Sequence, residues 1–214
     1  MRGEGQKRHW DSVYARSSNH FGLEPSQFGR RALRRFKEEG HETILELGCG
    51  QGRDTLLFLA AGLRVIGLDY SKTGIRQLRD RCLGIGTGLE IMIHDVREGI
   101  PLFDESVDAC FSHMFFTMQF TEEELTQIFS EVLRVLRPGG LNIYSVRNVN
   151  DPHYGKGVHH GDDVWEMNGF IVHYFSMDKV RRLAEGYEIV ETSEFEEGML
   201  PKALYEVVLR RPSV

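Results

Sequence analysis

Apolar and polar positions along the chain follow two periods in turn, and the switches between them mark out its elements. Residues 44–47 are an apolar run around Glu46 that breaks into Gly48, Gly50 and Gly52. Residues 63–69, 89–95 and 107–113 are three further apolar runs, closing on Asp69, Asp95 and His113. Short runs of this kind, bounded by turn residues, read as buried strands. Between them apolar residues recur every three or four positions. Residues 55–61 predict a helix stopped by Gly62, and Ser71 caps another that carries Ile75, Leu78 and Cys82 on one face. Thr121 to Glu124 form a capping box for a third, with Leu125, Ile128, Phe129, Val132 and Leu136 turned inward. Arg137-Pro-Gly-Gly140 stops that helix, and residues 141–146 begin a fifth strand. Ser176 caps a helix through Val180 and Leu183 to Gly186. The last two strands, 187–192 and 204–210, have no helix between them and so run antiparallel to each other. Strands alternating with helices predict an α/β protein on a parallel sheet, finished by an antiparallel hairpin.

Ahead of the first strand, Trp10, Asp11, Val13 and Tyr14 fit one or two helical turns, and Pro25-Ser26 open a helix that runs to Gly40. Residues 1–43 are therefore expected to form a helical flap on the domain made by residues 44–214. A chain of 214 residues, 41% hydrophobic and 27% charged, reads as one soluble globular domain. A net charge of −6 gives no broad footprint for nucleic acid. The basic run from Arg30 to Lys37 reads as a solvated helix face, with Ala32, Leu33 and Phe36 inward. Cys49, Cys82 and Cys110 are odd in number and form no C-x-x-C pair, which favours reduced thiols over disulfides or zinc. No apolar stretch approaches the ~18 residues of a membrane span, and the polar N-terminus is unlike a signal peptide. A cytoplasmic protein without membrane or nucleic-acid partners is the expectation; oligomeric state stays open.

The chemistry gathers where the strands end. Taken alone, glycines at 48, 50 and 52 fit a bulky ligand lying against bare backbone and a purely structural turn equally well. Glu46 can accept hydrogen bonds from a ligand amine, and Asp69, 17 residues after Gly52, can accept both ribose hydroxyls of an adenosine. The nicotinamide fingerprint G-x-G-x-x-G needs its third glycine one residue later. The ends of parallel strands lie on one edge, so Glu46, Asp69 and Asp95 are brought together there. Asp95 alone fits a turn residue equally well. Trp10 and Tyr14 are flap candidates, whose ring faces could stabilise a sulfonium; packing against the domain edge is the plainer role for aromatics there.

Glu-x-Gly-x-Gly-x-Gly at 46–52 and Leu-Arg-Pro-Gly-Gly at 136–140, in this order among the strands, resemble class I S-adenosylmethionine-dependent methyltransferases. The resemblance implies a doubly wound, Rossmann-like, seven-stranded sheet, S-adenosyl-L-methionine as cofactor, and Asp95 near the adenine. The implied cofactor contacts are Trp10, Tyr14, Glu46, Gly48, Cys49, Gly50, Asp54, Asp69, Tyr70, Ser71, Asp95, Val96 and Ser112. Gly-Gln-Gly-Arg-Asp at 50–54, the N-terminal aromatics, Arg147-Asn with a following Asp, and Glu-Glu-Gly at 196–198 resemble the tellurite-resistance and thiopurine branch. That branch implies a small-molecule acceptor, a thiol or chalcogen anion among the options. A nicotinamide oxidoreductase and a non-catalytic nucleoside-binding module are the alternatives.

The long segment 147–175 departs from that branch through its histidines, so the branch's acceptor does not carry over. It follows the fifth strand and is expected to be a lid forming the acceptor pocket. Arg147, His159, His160 and His173 are its leading polar candidates, with Trp165 or Tyr174 as apolar walls, and His113 joins them from the fourth strand. Competing readings are a metal site at His153, His159, His160, Asp162 and Asp163, solvated charges, and a core role for His173. For His113, a structural role weighs as much as a catalytic one. Metal ligation is not the favoured reading, because the spacing matches no zinc template.

Overall fold

A computed structural model describes residues 2–84, 88–198 and 202–213. Its centre is a seven-stranded sheet in the order β3-β2-β1-β4-β5-β10-β9. The strands are β1 (Thr43–Leu47), β2 (Arg64–Asp69), β3 (Leu89–Ile93), β4 (Val107–His113) and β5 (Leu136–Arg147), all parallel. β9 (Glu188–Glu197) and β10 (Lys202–Arg210) complete it; β10 pairs antiparallel with both β5 and β9, so it alone runs against the rest. Strand order turns back between β1 and β4, which opens a crevice at their carboxyl ends.

Alternation along the strands sends successive residues to opposite faces. Leu45, Leu47, Cys110, Tyr144 and Val146 meet Leu125, Ile128, Phe129 and Val132 of α5 (Glu122–Val135) on one face. Ile44, Val65, Ala109, Phe111 and Ile143 meet Phe28, Ala32, Phe36 and Phe58 on the other, from α2 (Gln27–Glu38) and α3 (Thr55–Ala60). The capping box at Thr121 and Glu124 is formed, and Ser26, Ser71 and Ser176 cap α2, α4 (Lys72–Arg81) and α6 (Met177–Leu183). The basic run of α2 lies on its outer side while Phe28 and Phe36 are buried.

Three boundaries differ from the sequence expectation. The N-terminal helix α1 spans Arg2–Arg16 rather than a turn or two, because Asp11 accepts hydrogen bonds from Ser71 Oγ (2.6 Å) and Thr73 N (3.1 Å) and so holds it onto α4. β5 begins at Leu136, which pairs with Val107; the register shift between Val107 and Ala109 absorbs Pro138. β9 continues to Glu197 because its whole length pairs with β10.

Within residues 147–175 a second, three-stranded antiparallel sheet forms from β6 (Val158–His159), β7 (Val164–Met167) and β8 (Phe170–His173). It is fastened from beneath by Lys179 of α6, whose side chain is only 2% exposed. Lys179 Nζ lies 2.7 Å from His173 Nε2, 3.0 Å from Asp163 and 3.4 Å from Glu122. Tyr154 Oη donates to the other Asp163 oxygen at 2.9 Å. Removing the cation leaves Asp163, 24% exposed, without its ion-pair partner, whereas Glu122, 43% exposed, keeps Arg182. Lys179→Met should therefore lower the unfolding free energy by about 1–3 kcal/mol, measured by urea denaturation, and should speed proteolysis between Tyr154 and Asp163.

Candidate active site

The strand ends line a cavity of about 370 Å³ at the carboxyl edge. Its first half is acidic. Glu46 is 5% exposed and accepts from Thr55 Oγ1 at 2.6 Å; burial raises its pKa from 4.5 to about 8. Asp69 accepts from Gly50 N (2.9 Å) and Ser71 N (2.7 Å), and burial raises it to about 6 despite those bonds. Asp95 behaves differently: burial works against its charge, but Arg97 binds both oxygens (2.9 and 2.6 Å) and holds it below the usual range. It also caps a 3-10 turn at Val96–Glu98, so the turn role and the cleft position coexist.

Between these acids the glycine loop lines the cavity, with Phe115 and Tyr14 close against it. A Cβ on Gly48 (φ 72°) would come 2.6 Å from the Phe115 ring, and one on Gly50 (φ 52°) would come 2.6 Å from Tyr14 Oη. Gly52 has another purpose, since a Cβ there would strike Leu78 at 2.2 Å; it lets α4 pack closely.

The second half is basic. Arg147, at the end of β5, is clamped by Asp151 through Nε (2.9 Å) and Nη2 (2.5 Å), and Tyr174 lies under its guanidinium at 5.2 Å. His113 puts Nδ1 2.6 Å from Ser145 Oγ, while its buried Nε2 faces Glu197 at 3.0 Å without a hydrogen bond. Met114 follows at φ 54°, a strained turn held by its N–H to Ser145 O at 3.0 Å. Arg53 faces Asp54 and Glu197 at 3.6 and 3.5 Å. Lys202 opens β10, and burial, then Arg147, lowers its pKa. The roof comes from α1 and the loop after it, where Trp10 contacts Tyr14, Phe21 and Phe170 at ring distances of 5.4, 5.9 and 6.1 Å.

Of the residues singled out from sequence, the cavity wall contains Trp10, Tyr14, Glu46, Gly48, Cys49, Gly50, Asp54, Asp69, Tyr70, Asp95, Val96, His113 and Arg147. Asp54 also holds the start of α2, accepting from Ser26 N (2.8 Å) and Oγ (2.9 Å). The structure does not bring Ser71, Ser112, His159, His160 or His173 to the wall. Ser71 is a buried cap that donates to Asp11, and Ser112 is buried inside β4. His159 stacks on Trp165 at 4.4 Å, and His160 pairs with Glu166 at 2.7 Å, both on the small outer sheet. His173 lies three residues after the cavity-lining Phe170, and strand alternation turns it inward to Phe120 O at 3.0 Å. Burial, then Lys179, lowers its pKa to about 4, so it is a neutral core histidine. Trp165 and Tyr174 are likewise absent from the wall. Among the described residues no group of three His, Cys, Asp or Glu is placed to hold a metal, and no helix is long and apolar enough to cross a membrane.

Sequence reading missed Lys202, Arg53, His20, Phe21, Phe115 and Phe170. Lys202 was within reach: a strand antiparallel to β5 must start at the edge where β5 ends.

A family profile described as a methyltransferase domain matches residues 44–140. The malonyl-[acyl-carrier protein] O-methyltransferase of Methylococcus capsulatus is 38% identical over 104 residues, 48% of this chain and 36% of that protein. The trans-aconitate 2-methyltransferase of Azoarcus sp. strain BH72 is 33% identical over 135 residues, covering 62% and 50% respectively. The chain thus spans half or less of the length of these relatives. The Burkholderia thailandensis 1,6-didemethyltoxoflavin-N1-methyltransferase, solved with 1,6-didemethyltoxoflavin and S-adenosylhomocysteine, aligns at TM-score 0.78 and 16% identity. It covers 99% of this chain and 89% of that one. Residues 44–140 thus match a methyltransferase domain, and the fold is that of solved S-adenosylmethionine-dependent methyltransferases.

The buried Glu46 makes a pH prediction. Its folded pKa lies above the unfolded one, so the stability it contributes is full below about pH 4.5 and is lost as pH rises towards 8. Relative to Glu46→Gln, the wild type should lose stability steadily between these limits in denaturation at several pH values; parallel curves would refute the shift.

Proposed function

We propose that the chain is an S-adenosylmethionine-dependent methyltransferase acting on a small molecule. One observation carries the reading: Glu46, Asp69 and Asp95 stand at or just beyond the ends of three neighbouring strands and line one cavity with Gly48 and Gly50. These residues fit a ligand with an amino group and an adenosine. Glu46 is a buried carboxyl with a single hydroxyl donor, and a cationic amino end beside it would favour its charged form. A carboxylate offers about four acceptor positions, so Asp69 can take ribose hydroxyls while keeping its two backbone donors. Asp95 lies on the side of the adenine, and Trp10 and Tyr14 close over the nucleoside.

When bound, S-adenosylmethionine supplies an electrophilic methyl, whose C–S electron pair returns to sulfur as the acceptor's lone pair takes the carbon. The chain's own work is to align the two molecules and keep water out. The reading assigns His113 to positioning, with its Nδ1 held at Ser145 Oγ. An anionic acceptor, including the thiolate or chalcogen anion expected from the branch resemblance, needs no base. Relatives of the domain differ in acceptor, and the toxoflavin enzyme's named substrate supports a small molecule. A nicotinamide reading has less support, because Gly52 serves α4 packing and the matching family is that of methyltransferases. We place the enzyme in the cytoplasm, without nucleic-acid or membrane partners.

Asp69→Asn should weaken S-adenosylmethionine binding by about 1–3 kcal/mol, the loss of charge-assisted hydrogen bonds, in titration calorimetry. NADH bound in preference to S-adenosylmethionine would overturn the reading. Cofactor binding without turnover of any acceptor in a broad screen would support the binding-module alternative instead.

A further inference from the structure

The carboxyl edge changes sign along its length. Read across neighbouring strands, it presents Asp95 after β3, Asp69 on β2, Glu46 on β1, then His113 on β4, Arg147 on β5 and Lys202 on β10. Strands are about 4.8 Å apart, so acidic and basic halves lie side by side in one cavity. The first half is used by the cofactor in the function proposed above. The second needs an occupant of opposite character.

We infer that the basic half holds a small carboxylate-bearing acceptor, with its anionic group on Lys202 and Arg147 and its carbon body under Phe21 and Phe170. The inference rests on the methyltransferase reading and adds the substrate's charge to it.

Three features carry it. First, Arg53, Arg147 and Lys202 line the cavity, whereas Asp151 and Glu197, which pair with the two arginines, do not; of their carboxylate partners only Asp54, beside Arg53, is in the wall. Second, Arg147 and Arg53 are already matched by Asp151, and by Asp54 and Glu197. Among the described residues no ion pair within 4.0 Å involves Lys202, so this cation lines the cavity without a carboxylate of its own. One such ammonium suits one carboxylate better than a phosphate dianion. Third, the walls are flat and apolar: Phe21 lies 5.7 Å from the Arg53 guanidinium, and Phe170 meets Trp10 at 6.1 Å and His9 at 5.6 Å.

The test uses wild type and Lys202→Met, each saturated with S-adenosylhomocysteine. Two-to-eight-carbon mono- and dicarboxylic acids and benzoates are paired with their neutral amides, and binding is followed by calorimetry. The same panel is run for methylation with labelled S-adenosylmethionine. At least one acid should bind at least ten-fold more tightly than its amide. Lys202→Met should abolish that preference, Lys202→Arg should restore most of it, and S-adenosylhomocysteine affinity should change less than two-fold. An amide equal to its acid, an acid unaffected by Lys202→Met, or no acid bound by protein that holds S-adenosylhomocysteine would overturn the inference and leave the methyltransferase reading standing. Turnover of thiols or selenite in preference to every acid would do the same. Failure to bind S-adenosylhomocysteine at all would overturn both.

Discussion

One carboxylate ties the cleft together. Asp69, at the end of β2, accepts the Gly50 N–H from the loop after β1 and the Ser71 N–H at the start of α4. Ser71 in turn donates to Asp11 on α1, so the glycine loop, the second crossover helix and the flap share one chain of hydrogen bonds. Burial raises the Asp69 pKa to about 6, so this joint is held by a group that water would otherwise solvate better. A buried carboxylate persists only where donors converge on it, and the positive φ of Gly50 turns its N–H towards Asp69. The shape of the loop and the charge of the cleft are thus one constraint.

A second network does the corresponding work at the far end. Lys179, Asp163, His173 and Tyr154 bind the small sheet of residues 147–175 to α6. Arg147 and Asp151 join that segment to β5 and, through Ala203 N at 3.2 Å, to β10. Histidines that look catalytic in a list of residues are spent here on structure. What remains free to face a ligand is the row of strand ends, and the flap covers it with aromatic rings.

The opposition of charge along that row follows from topology as much as from composition. A parallel sheet gathers its carboxyl ends on one side, and the reversed strand β10 adds its first residue to the same side. Neighbouring strands can then carry acids and bases in series, with the β1–β4 crevice marking the change. Chemistry that brings a sulfonium against an anion matches such a surface.

The sequence by itself determined the order of elements, the parallel sheet with its reversed last strand, and the acidic half of the cleft. Those features are local: periods of two and 3.6, caps, glycines, and an acid at the end of each run. It placed Glu46, Asp69 and Asp95 together because topology alone brings them there. Tertiary structure decided the rest. His173 belongs to the core because alternation from Phe170 and the position of Lys179 on another element turn it inward. His159 and His160 stay outside because β6 pairs with β7 away from the edge. Lys202 reaches the cavity only through its pairing across the sheet, between segments far apart in the chain. Side-chain direction at such positions depends on long-range register, and local pattern does not encode it.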